Sequence, residues 1–420
     1  MNIIRRVCNN KTIRNGGLFS VYSFVQSGVS FILLIILAKF ITPSEYGLMS
    51  LFNTATMFFS YFVGLNTAGY LSVSYFANKS SEDFKKDFTI IILLTIMSAI
   101  LLFIIILPLI SPISKLINTT PLLLTASLLI ATFRIIHQIL LNYYRIQEKV
   151  IKYGIYSCSN SLLSALLVFI FVLYCGQGWH GYVEGQFISL IIFSGISLLL
   201  FKKWNLYTFA GLTTQRIKNI ILWGVPLIPH LATIWIRQGM DRYIIEHNHT
   251  TADVGLFSFA LNLTNIIIMI GTAFNNTFSV NIFKTLSSEI PFENKIIKLK
   301  NQTKKIMAIY IIATVFIVLG SFVFLPIFMP NYSSSIKYFT ILSFYGLCQC
   351  FYFQYCNYFF YFKKTKTLMY ITFGSSILHL LLSFILTPYS LILTCSIYVM
   401  VQMIIVLTTK KMGMELLKAS

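Results

Sequence analysis

Long, uninterrupted apolar runs separated by short polar stretches rich in Lys and Arg set the pattern of this chain. A helix needs about 20 apolar residues to cross the hydrocarbon core of a bilayer. Twelve runs qualify: 17–37, 46–76, 88–108, 121–144, 153–174 and 182–201, then 220–236, 254–278, 306–328, 336–362, 368–386 and 391–407. The second and tenth are long enough to tilt or to extend into the interface. A membrane-spanning barrel would show short alternating segments instead, so the pattern predicts an all-α polytopic membrane protein. The first run follows a basic stretch and reads as a retained span, because no small-x-small cleavage site precedes Lys39.

Composition agrees. Of 420 residues, 57% are hydrophobic and 10% charged, against about 25% charged in soluble domains. Mean hydropathy is +0.78. A soluble enzyme and a disordered chain are both excluded. The net charge of +20 would suggest nucleic acid in a soluble protein. Here the cations cluster between spans, as the positive-inside rule requires, so no nucleic-acid partner is expected. With the N-terminus cytoplasmic, 26 of the 32 Lys and Arg fall on the cytoplasmic side. Only Lys39, Lys115, Arg237, Arg242 and Lys337 fall opposite, and Arg134 is left inside a span. Both termini are therefore expected in the cytoplasm. The seven cysteines form no Cys-x-x-Cys, and Cys348, Cys350 and Cys356 read as small packing residues.

The two halves repeat. Glu45-Tyr46-Gly47-Leu48-Met49-Ser50 parallels Asp253-Val254-Gly255-Leu256-Phe257-Ser258 at an offset of 208, and Ser72-Val73-Ser74-Tyr75-Phe76 parallels Ser279-Val280-Asn281-Ile282-Phe283 at 207. Asn142-Tyr143-Tyr144 pairs with Asn357-Tyr358-Phe359, and Ile13-Arg14-Asn15 with Ile217-Lys218-Asn219. This predicts two six-helix halves, 1–210 and 211–420, in parallel orientation around a central cavity, an arrangement in which transporters hold substrate between the halves.

Polar residues inside the membrane are the candidate chemistry. Arg134 lies near the middle of the fourth span, with His137 and Gln138 on its face at i+3 and i+4. A central arginine costs at least about 2.5–3.5 kcal/mol on insertion scales, so it should face protein or water. It is either an anion-binding residue in a cavity or a buried cation satisfied by carbonyls or by Glu184. Glu184, at the start of span six, is alternatively a proton carrier or an interfacial carboxylate. Lys39 and Arg242 occupy matching places in the repeat and, with Arg237, offer cations near the exterior mouth; Asp241 stands beside Arg242. Pro226 and Pro229 should bend the seventh span, as a gate would require. The candidate substrate-binding set is therefore Arg134, Lys39, Arg237, Arg242, His137 and Gln138, and the candidate ion-coupling or gating set is Glu184, Asp241, Pro226 and Pro229. Eleven aromatics in the 19 residues 344–362 make either an interfacial belt or a stacking surface for sugars. No phosphate loop, Gly-x-Ser-x-Gly or His-Glu-x-x-His occurs. Exterior loops are too short for a catalytic domain, and His247-x-His249 lacks further ligands. No catalytic residue, metal or cofactor is expected, and the chain does not read as an enzyme.

Two stretches carry a resemblance. Ile36-Leu37-Ala38-Lys39-Phe40-Ile41-Thr42-Pro43-Ser44-Glu45-Tyr46-Gly47-Leu48 resembles the first-loop signature of polysaccharide-transport flippases. Trp223-Gly224-Val225-Pro226-Leu227-Ile228-Pro229, Asp241-Arg242-Tyr243-Ile244-Ile245 and Val254-Gly255-Leu256-Phe257-Ser258 are similar to that family's signature around spans seven and eight. These are the O-antigen flippases of the multidrug/oligosaccharidyl-lipid/polysaccharide exporter superfamily. The resemblance implies transfer of an undecaprenyl-pyrophosphate-linked oligosaccharide from the cytoplasmic to the periplasmic leaflet of a bacterial inner membrane. It implies membrane lipids, a polysaccharide polymerase and chain-length machinery as partners. A cation-coupled drug antiporter of the same superfamily and a membrane glycan polymerase are the alternatives.

Overall fold

The computed structural model describes residues 11–77 and 80–418. Arg5, Arg6 and Lys79, counted above among the basic clusters, lie outside the described residues. Within them the protein is helical, with no strand. The helices are α1 (Lys11–Leu37), α2 (Pro43–Phe62), α3 (Tyr70–Ala77), α4 (Ser81–Leu116), α5 (Pro121–Ile146), α6 (Val150–Phe169), α7 (Gly178–Lys203), α8 (Thr214–Gly224) and α9 (Ile228–Gln238). There follow α10 (Met240–Asn248), α11 (Thr251–Leu286), α12 (Phe292–Phe328), α13 (Ile336–Tyr361), α14 (Thr365–Leu386) and α15 (Leu391–Lys418). Among the described residues, ten helical runs are long and apolar enough to cross a membrane, so this is a multi-pass membrane protein. Two further apolar segments are also helical. In α1 the apolar part is Val21–Leu37, and α13 runs for 26 residues but is diluted by Tyr and Gln.

Helix starts follow from short side chains that satisfy the orphan N–H groups of the first turn. Ser80 caps α4, Thr120 caps α5 ahead of Pro121, and Thr213 caps α8. At α11 the cap is reciprocal: Thr250 Oγ1 accepts from Asp253 N at 3.2 Å while the Asp253 carboxylate accepts from Thr250 N. Thr42 and Glu45 make the same pair ahead of α2. The repeated Glu45-Tyr46-Gly47 and Asp253-Val254-Gly255 are thus two capped helix starts.

The chain packs into two compact units, one running to Ile41 and then over Leu48–Trp235, the other made of Thr42–Gly47 and the chain from Ile236 onward. In the second unit the two capped starts meet backbone to backbone. A Cβ on Gly47 would lie 2.1 Å from the Thr251 carbonyl oxygen, and one on Gly255 would lie 1.8 Å from that of Pro43. Each glycine meets the carbonyl four residues before the other, a reciprocal contact that only two glycines allow. In the first unit the core is aromatic: Phe88 meets Phe201 edge-on at 4.9 Å, and Tyr143 stacks on Trp204.

The run 46–76 is one stretch in sequence but two helices in space. Between α2 and α3, Gly64, Leu65 and Asn66 take left-handed backbone conformations, with φ of +72°, +50° and +55°. In hydrocarbon the freed peptide groups must find partners within the protein. Gly64 N donates to Ser98 Oγ at 2.7 Å, Thr67 Oγ1 donates to Gly64 O at 2.6 Å, and Asn142 Nδ2 donates to Ala68 O at 3.4 Å. The seventh span only tightens, through a 3₁₀ turn at Val225–Leu227 that carries Pro226 and is flanked by right-handed helical residues, with Pro229 in the first turn of α9. That turn lies against the left-handed one: a Cβ on Gly224 would lie 2.4 Å from the Leu65 carbonyl oxygen.

Gly255→Ala is expected to destabilise the protein by about 1–3 kcal/mol, because overpacking at a backbone contact cannot be relieved by a rotamer change. Gly28→Ala, where a methyl meets nothing within 4 Å, serves as control. Thermal unfolding in detergent micelles checks this; equal midpoints for the two variants would contradict it.

Candidate functional site: a polar cavity in the N-terminal unit

A cavity of about 270 Å³ opens among α1, α5, α6 and α7. Helix periodicity builds it. Arg134, His137 and Gln138 share one face of α5, and that face turns to Gln26 and Ser30 of α1, Asn160, Ser161 and Ser164 of α6, and Tyr182 and Gln186 of α7. Leu33, Leu34 and Leu190 make an apolar flank. The three α5 residues singled out by sequence are thus brought together.

The cavity carries one fixed charge. Arg134 is half-buried, and its Nη2 donates to Gln186 Oε1 at 3.4 Å. None of the 14 lining residues is acidic, and among the described residues no carboxylate pairs with Arg134. Glu184, with backbone carbonyls one of the alternatives for satisfying Arg134, is exposed on α7. It sits two positions before Gln186, and two helical positions turn a side chain about 200° away. Gln186 therefore replaces Glu184 as the neighbour of Arg134.

The walls are held by their own hydrogen bonds. Asn53 Nδ2 donates to the Tyr182 hydroxyl at 2.8 Å, Ser189 Oγ donates to Asn160 Oδ1 at 3.0 Å, and Gln138 Nε2 donates to Asn142 Oδ1 at 3.3 Å. His137 is buried and stacks on Tyr156 with centroids 4.9 Å apart, and neither ring nitrogen has a protein partner. A fixed guanidinium, several amides and several hydroxyls around a void of about 270 Å³ suit an anionic group that also carries hydroxyls.

The other cations are placed differently. Lys39 is exposed, with its ammonium 6.0 Å from the Phe40 ring. Arg242, its repeat counterpart, is buried in α10, where Nε donates to Ser258 Oγ at 3.1 Å and a guanidinium NH₂ group donates to Gln238 O. Asp241 does not simply accompany Arg242: its Oδ2 lies 2.8 Å from His379 Nε2, both side chains at most 3% exposed. Arg237 lines a second, smaller cavity in the C-terminal unit with Gln238, Tyr345, Gln349, Tyr352, Thr372, His379, Tyr398 and Gln402. His379 was not among the expected site residues, although Ser375, Ser376, His379 and Ser383 form a buried polar stripe at helical spacing that sequence could have revealed.

The family model for polysaccharide biosynthesis proteins matches residues 12–280. The chain belongs to that family. Among solved structures, its fold is similar to an inward-facing multidrug resistance MATE family transporter of the MOP superfamily, at 13% identity and a TM-score of 0.74 over 94% of this chain and 96% of that one. An outward-facing transporter of the same description matches at 14% identity and 0.60, covering 96% and 95%. A MATE in the bent conformation matches at 14% and 0.63, covering 99% and 97%. No curated protein matches the chain. The chain shares its fold with those transporters.

A hydrophilic thiol reagent tests whether the cavity is wet. In a cysteine-free background, Ser30→Cys and Ser164→Cys should be labelled, whereas Ser127→Cys, fully buried outside the cavity, should not. Equal labelling at the three positions would exclude a discrete water-filled cavity.

Proposed function

We propose that this family member is a flippase that moves an undecaprenyl-pyrophosphate-linked oligosaccharide, an O-antigen repeat unit, from the cytoplasmic to the periplasmic leaflet of a bacterial inner membrane. The observation that carries the reading is Arg134 in a polar cavity with no carboxylate beside it. A buried cation without a counter-ion is costly, and an anionic ligand supplies that counter-ion each time it enters. The amides and hydroxyls around it fit sugar hydroxyls, and Leu33, Leu34 and Leu190 give an apolar flank beside them. The positive-inside count supports cytoplasmic termini. With an inside-negative potential, each negative charge carried outward gains about 2.3 kcal/mol per 100 mV, so export can proceed without nucleotide hydrolysis.

A drug antiporter of the same superfamily is the second reading, favoured by the likeness to multidrug transporters. A site for organic cations calls for a carboxylate in the cavity. None lines the N-terminal one, and in the C-terminal unit Asp241 is engaged by His379. The polymerase and the chain-length machinery are the expected partners of a flippase, since they consume its product.

Arg134→Ala should lower surface polysaccharide about ten- to a hundredfold, the effect of losing one charge-assisted hydrogen bond, with normal membrane abundance. Arg134→Lys should retain part of the activity. Glu184→Gln should change nothing. Surface glycan and cytoplasmic-leaflet precursor are scored in a strain lacking the native chain. Unchanged export in Arg134→Ala would sink the reading, and disappearance of the protein would reassign Arg134 to structure.

A further inference from the structure

The second cavity, about 70 Å³ and enclosed by the ends and faces of α9, α13, α14 and α15, is small for a sugar. A water needs about 10–15 Å³ on this measure, so the space holds about five to seven water-sized atoms, one phosphate, sulfate or carboxylate group. Its lining is polar. Arg237 is half-buried, and its Nε is enclosed without a protein partner. Gln349, Gln402, Thr372 and Tyr345 supply neutral hydrogen-bonding groups around it. No acidic side chain is among the lining residues.

His379 lines the same space and connects it to Asp241 behind. The groups facing this pair come from every packed element. From α10 they are Asp241 itself and Arg242; from the end of α9, Arg237; from α13, Tyr345 and Tyr352; from α15, Tyr398 and Cys395. On α14 the Ser383 hydroxyl also lies beside the Asp241 carboxylate. Among these, only His379 can meet the Asp241 carboxylate as either a neutral or a cationic donor. With a proton on the ring the pair is neutral overall, and Arg237 sets the sign of the cavity. Without it, the Asp241 carboxylate faces the cavity through a neutral imidazole and opposes any incoming anion.

We infer that this cavity is a second, proton-linked anion site, which takes a single oxyanion group on Arg237 when the Asp241–His379 pair holds its proton. The oxyanion comes either from solution or from an amphiphile's headgroup. The site stands whether or not the protein moves lipid-linked glycans, because one reading is scored as surface glycan and the other as binding to purified protein.

The test uses full-length Arg134→Gln protein in neutral detergent micelles, so that the N-terminal cavity contributes no cation. Binding of sulfate and of octyl sulfate, neither of which titrates between pH 6 and pH 8, is followed by calorimetry. Expected is binding about tenfold tighter at pH 6 than at pH 8, the size of one charge acting across a few ångströms of screened interior, with uptake of protons. His379→Gln should flatten the pH dependence, Arg237→Gln should remove binding, and Arg237→Lys should keep part of it in an equally folded protein. Saturation by sulfate assigns the site to free anions; saturation by octyl sulfate alone assigns it to a headgroup. Binding that is pH-independent, that survives Arg237→Gln, or that is absent for both probes overturns the proposal.

Discussion

Hydrocarbon offers no partner to a peptide N–H or carbonyl, and this single constraint orders the protein. Wherever the backbone is regular, the helix satisfies itself. Where it is not, the protein must supply each partner from a neighbouring helix. The left-handed turn at Gly64–Asn66 is therefore tied to Ser98 from α4 and to its own Thr67, and the carbonyl of Ala68 to Asn142 from α5. The 3₁₀ turn at Val225–Leu227 lies against it, with Gly224 pressed onto the Leu65 carbonyl, an approach that a bulkier residue at 224 would prevent.

The same scarcity of partners gives charge its meaning. Asp241 is fully buried and is met by His379 at 2.8 Å; Arg242 is buried and is met by Ser258 and Gln238. Arg134 differs, because no carboxylate lines its cavity and its neighbour Gln186 sits at 3.4 Å, whereas Arg242 has Asp241 beside it. A cation arranged this way is incomplete without an anion, whereas the charge of Asp241 is met within the fold by His379 on Oδ2. That contrast, rather than proximity to a helix end, separates a ligand-facing cation from a structural one, and it is why Lys39 and Arg242, equivalent in the repeat, have different surroundings.

Much of this was legible beforehand. Apolar runs of about 20 residues locate membrane helices, because length and hydropathy alone decide insertion. The stripe Arg134, His137, Gln138 was legible because residues at i+3 and i+4 share a helix face whatever surrounds them. The repeated Glu-Tyr-Gly and Asp-Val-Gly elements stood out as a pattern, but their reason was not visible: two capping boxes whose glycines allow reciprocal backbone contact. The polar stripe of Ser375, Ser376, His379 and Ser383 was readable in principle, yet serines in membrane helices so often bond their own backbone that it carried little signal.

Sequence by itself determined what each segment is: helical, long and apolar enough to cross a membrane, and polar on a known face. Those properties arise within one segment and its solvent. Tertiary structure alone decided which polar groups meet. Gln186 instead of Glu184 faces Arg134, His379 takes Asp241 across 138 residues of chain, and the span 46–76 breaks in the middle. Each is a choice of partner between distant segments, and hydrophobic periodicity, which reports only the direction a side chain points, carries no information about what waits there.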